Sequence, residues 1–104
     1  MAGVVAPVAY RTKAATISNS AVAVSAAGWS WTAGDLAAAD VAYISAIGQG
    51  VSLTWDGTTP TAALGMPLAA GATVEVQGNA NIQALQLIRS GASDATVSIT
   101  LARF

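Results

Sequence analysis

One hundred and four residues fit a single domain, and the chain carries four basic and five acidic side chains, a net charge of −1, no histidine and no cysteine. That excludes a disulfide framework, a zinc site built from nitrogen and sulfur ligands, and histidine or cysteine catalysis. A charged fraction of 9%, against roughly a quarter in an average soluble domain, leaves little electrostatic protection against association, so we expect much of the surface to be covered by other subunits.

The hydrophobic fraction of 54% includes 25 alanines, and the bulky apolar and aromatic set numbers 31. The apolar excess is therefore small side chains around a thin core. The basic residues Arg11, Lys13, Arg89 and Arg103 are too few and scattered for a nucleic-acid footprint. Residues 1–10 are apolar but broken by Pro7, too short for a membrane span and without the leading charge of a signal peptide.

Residues 1–13 show no clear period and read as an extended arm, with residues 14–104 as one β-domain. Val4, Val5, Val8 and Tyr10 make that arm apolar, which suits docking on a neighbour. Its removal is expected to leave the fold intact. From Ala15 to Ser25, Ile17, Val22 and Val24 alternate with serines, as in half-buried strands. Trp29 and Trp31 follow. Two apart on a strand, they would point the same way, as an interface anchor, a sugar platform or a lid over the core. Thr32 and Asp35 have capping-box spacing, with Asp in place of Glu, and predict one or two helical turns.

Val41 to Ile47 is a β-branched and aromatic run. Gly48-Gln-Gly50 reads as a hairpin turn, and Val51, Leu53 and Trp55 share the core face of the next strand. Asp56-Gly57 and Thr59-Pro60 form a rigid corner. Leu64 to Leu68 admits a short edge strand at most. Thr73 to Gln77 alternates, with Val74 and Val76 inward. Ile82 to Arg89 is apolar on both faces, either a central strand or a short helix, and its flanks favour strand. Arg89 ends that run. A charge there needs water or a partner, and Asp56 and Asp94 are the candidates for a structural ion pair. Thr96 to Leu101 alternates most cleanly, with Val97, Ile99 and Leu101 inward.

This pattern predicts an all-β fold, a small antiparallel β-sandwich or jelly-roll-like barrel of about seven or eight strands with at most one short helix. Spacing does not choose between a jelly roll and an up-and-down order. The five carboxylates have ordinary cap, turn and strand roles. No histidine stands ready to activate a serine, and the glycine turns lack the Lys and Ser/Thr of a phosphate loop. No catalytic residue, metal site or cofactor is predicted.

The run Trp55-Asp-Gly-Thr-Thr-Pro-Thr-Ala62, then Gly65 and Leu68-Ala-Ala-Gly71, then Ile82 and Leu87-Ile-Arg-Ser-Gly-Ala-Ser-Asp-Ala-Thr-Val97, resembles a pattern in small structural proteins of tailed bacteriophages. The resemblance spans about residues 35–102. It implies a β-sandwich or jelly-roll virion subunit, foremost a capsid decoration or cement protein and otherwise a neck or tail adaptor. It implies a homo-oligomer, a trimer favoured, bound to the major capsid protein or other virion subunits. No nucleic acid or membrane partner is implied. A different class, a carbohydrate-binding module, would use Trp29 and Trp31 as its platform.

Overall fold

The structure, a computed structural model, describes residues 6–104. Eight strands run in the order β1 (Val8–Ile17), β2 (Val22–Ala23), β3 (Val41–Ile47), β4 (Val51–Thr54), β5 (Met66–Leu68), β6 (Thr73–Gln77), β7 (Gln86–Arg89) and β8 (Ala95–Arg103). Two short helices, α1 (Ala33–Ala38) and α2 (Asn79–Gln83), and a 3-10 turn at Ala27–Trp29 lie between them.

The strands form two antiparallel four-stranded sheets, ordered β1-β8-β3-β6 and β2-β7-β4-β5. The first strand pairs with the last, the second with the seventh, the third with the sixth, and the fourth with the fifth. That is one long hairpin of paired strands rolled over a core, so the sandwich is a jelly roll. Every connection except β4–β5 changes sheet.

The core lies between the sheets. Ile44 from β3, Leu53 from β4, Leu87 from β7 and Val97, Ile99 and Leu101 from β8 are fully buried. The alternation in the sequence produces this arrangement directly, because successive side chains of a strand point to opposite faces. The Asp56–Leu64 segment packs over β4 on the outer face of the second sheet. Thr54 Oγ1 donates to the Thr58 carbonyl and Ser52 Oγ to the Ala62 carbonyl at 3.3 Å, which leaves both hydroxyls buried. Gly65 permits this close return. Its φ is +130°, and a Cβ there would stand 3.0 Å from the Leu53 carbonyl oxygen.

Four expectations need correction. Residues 8–13 are not arm. They open β1, a ten-residue strand of which nine residues pair along β8, so deleting residues 2–12 would strip half of that strand. Val4 and Val5 lie outside the described residues. The described residues form two α-helices, not one. α2 occupies the start of the Ile82–Arg89 run, and the strand begins only at Gln86. Finally, Gly48-Gln-Gly50 is no hairpin. It carries the chain from β3 in one sheet to β4 in the other, with Gly48 at φ +78°.

Candidate functional site

Two surfaces stand out, and both are built from the first sheet. Its outer face is the larger. Register places Thr16, Thr96 and Ile47 in one row, Ala14, Ser98, Ser45 and Thr73 in the next, and Thr12, Thr100, Tyr43 and Glu75 in a third. Glu75 is the single charge among them. Hydroxyl pairs tie the strands across this face, Thr12 to Thr100 at 2.9 Å and Ser45 to Thr73 at 2.7 Å. Such cross-strand pairs hold side chains in fixed positions. Ile47 is 53% exposed and supplies an apolar anchor at one end of this face, with Tyr43 two rows away. Among the described residues no loop folds over these three rows, while the row beyond them, Val41 beside Ala102, is fully buried.

The second surface is the flank where β1 meets the segment from Trp29 to Asp35. Thr32 caps α1, accepting the Asp35 amide on its hydroxyl at 3.1 Å, while the Asp35 carboxylate accepts the Thr32 amide at 3.1 Å. The capping box read from the sequence is therefore formed. From β1, Tyr10 donates its hydroxyl to the Asp35 carbonyl, and Arg11 Nε reaches Asp35 Oδ1 at 3.3 Å. Lys13 Nζ donates to the Ser30 carbonyl at 2.6 Å and stands 5.8 Å from the Trp31 ring. Arg103, beside Val8 in the ladder, lies over the Tyr10 ring at 5.0 Å.

Trp29 and Trp31 do not share a strand. Ser30 between them has φ +57°, and the two indoles stack 6.1 Å apart at 13°. Trp29 is 1% exposed, so it is a core residue and offers no surface to a partner or a sugar. Trp31 is half-buried against it. Of the other expected interface residues, Val8 is 65% exposed and Tyr10 is half-buried.

Arg89 Nη1 meets Asp94 Oδ1 at 2.6 Å, across the short loop before β8. Asp56 takes no part in that pair. Its Oδ1 accepts the Thr58 amide at 3.0 Å within its own turn. Trp55, expected in the core, is half-buried and lines an open groove of about 290 Å³ with Leu53, Met66 and Gly65.

The titration behaviour follows from these bonds. The Thr32 amide, with help from Arg11, holds the Asp35 carboxyl below its ordinary value of 3.8. The Thr58 amide does the same for Asp56. Burial, then the Asp35 charge, pushes the Tyr10 phenol above its ordinary 10.0, so it stays a neutral donor. A carboxylate whose pKa is lower folded than unfolded stabilises the fold above the unfolded value and loses that contribution as pH falls through the folded one. With no histidine or cysteine in the chain, thermal stability is expected to be flat from about pH 5 to 8 and to fall below about pH 4. Thermal melts across pH test this. The acid loss should shrink in a D35N/D56N double variant, and an undiminished loss would assign it elsewhere.

Among the described residues no three acidic side chains gather to hold a metal ion, and no helix is long and apolar enough to cross a membrane. Asp35 is committed to the α1 cap, Asp56 to its own turn, and Asp94 to the ion pair with Arg89. What the arrangement offers is a flat, nearly uncharged sheet face and a basic edge. Comparison with protein-family models, curated proteins and solved structures returned no match.

Proposed function

We propose that this chain is a structural subunit of a bacteriophage virion, a capsid decoration or cement protein that seats the outer face of its first sheet on the capsid lattice. One observation carries the reading: among the described residues three rows of the first sheet's outer face lie uncovered, and their eleven residues include a single charge. A protein with so few charges gains most from hiding such a face. The resemblance of residues 35–102 to phage structural proteins supports the same reading, as does the jelly-roll fold itself, which serves in capsid and lectin domains alike.

Size argues for a repeating partner. At the usual strand and residue spacings the three rows cover roughly 400 Å², about half of what each partner of a stable binary complex buries. Such a contact holds firmly only when several copies or several sites act together. A homo-oligomer, trimer favoured, on the major capsid protein supplies that multiplicity. The carbohydrate-module reading loses its platform with Trp29 in the core.

The test is co-sedimentation of the purified chain with phage particles and a count of copies per particle. Hundreds of copies are expected. A dozen or fewer would place the chain at the neck or tail, and no binding to particles that lack it would overturn the virion reading.

A further inference from the structure

The free edge of β1 is a separate surface, and its chemistry does not depend on the virion reading. β1 ends the sheet order, so among the described residues no strand pairs with its other side. Among the described residues, Val8–Ile17 makes backbone–backbone hydrogen bonds only along the β8 ladder. A ten-residue edge of this kind is a template for another strand. The bulge between Ala9 and Arg11 distorts only its beginning, and residues 11–17 stay in regular register.

Charge decides which strand fits. Three of the chain's four basic residues, Arg11, Lys13 and Arg103, gather here. Asp35 and Asp40 partly offset them, and Asp40 already accepts the Phe104 amide at 2.9 Å. The flank is net positive on a net negative chain. Arg11 stays 52% exposed while paired to Asp35. Arg11 and Lys13, two apart, lie on the same side of β1. A second copy paired antiparallel about Thr12 would set each Arg11 against the other copy's Lys13, and like charges directly opposite destabilise a ladder. A strand carrying carboxylates at alternate positions would meet both cations favourably.

We propose that the β1 edge is a strand-addition site that rejects a second copy of this chain and accepts an extended acidic segment of a partner protein. Main-chain hydrogen bonds would hold the segment, and Arg11, Lys13 and Arg103 would select it.

The test is hydrogen exchange on the full chain with a nine-residue peptide alternating valine with glutamate, beside its valine–lysine counterpart. The acidic peptide is expected to slow exchange of amides in residues 10–17 at least tenfold and to leave those of β6, the opposite edge, unchanged. The lysine peptide is expected to protect neither. In the R11Q/K13Q double variant the acidic peptide should lose at least tenfold in affinity. If that variant fails to fold, the salt dependence of the parent protein decides, because binding should weaken severalfold between 50 and 300 mM salt. Equal protection by both peptides, protection of β6 instead, or no protection at either salt would overturn the proposal.

Discussion

Replacing Trp29 with alanine is expected to remove a large share of the protein's stability. The side chain is 1% exposed, stacks on Trp31 and belongs to the one cluster that joins the two sheets. Truncating a buried tryptophan costs about 3–5 kcal/mol, against about 5–15 kcal/mol for a whole domain. In a domain of this size each kcal/mol shifts the melting temperature by about 4–8 °C, so a drop of about 12 °C or more is expected. Trp29→Phe should be far milder. It keeps a ring in the cluster and removes an indole N–H that finds no hydrogen-bond partner, and an unpaired buried donor is itself unfavourable. Thermal and urea melts of the two variants check this. A loss of less than about 5 °C for Trp29→Ala would mean that the core closes without the indole, and would reopen Trp29 as a surface residue.

Trp29 also shows where the sequence could be read and where it could not. Two tryptophans two apart suggest one face of a strand only while the residue between them stays extended. Ser30 in the left-handed region changes that, and nothing in its identity announces it. β1 was hidden for a related reason. Its bulge between Ala9 and Arg11 shifts the register, and two cations sit where alternation calls for apolar side chains. In contrast, β4 and β8 are plain in the sequence because each keeps a period of two, and β3 because it is a β-branched and aromatic run.

α2 leaves only a faint trace in the sequence. Ile82 and Leu85, three apart and both fully buried, have helical spacing, but the apolar Leu87 and Ile88 behind them blur it into a strand. The Gly48 corner could not be decided locally. A positive φ serves a hairpin and a change of sheet equally, and only the partners β6 and β8 for β3, and β5 and β7 for β4, separate the two. The candidate surfaces were legible in composition and invisible in position. Few charges and many hydroxyls were evident, while their gathering on the outer face of one sheet depends on register across four strands.

That face makes the second large prediction. Ser98 sits in the middle row on β8, an interior strand of the sheet, flanked by Ala14 and Ser45. Ser98→Arg is expected to leave the fold intact, since its side chain points away from the core and substitutions at such surface positions usually stay within about 0.5 kcal/mol. Docked on a lattice, the same guanidinium would be desolvated without a partner. An unpaired buried interfacial charge costs about 2–5 kcal/mol, so each contact should weaken by roughly thirtyfold or more. Because the contact is small and depends on repetition, these losses compound across copies, and co-sedimentation with phage particles should fall below detection. Thr59→Arg, on the exposed loop that packs over β4 of the opposite sheet, is the control and should bind as the parent does. If Ser98→Arg melts normally and still sediments at full copy number, the outer face of the first sheet is not the interface. The β1 flank, with its own cations and free edge, would then be the surface through which the chain assembles.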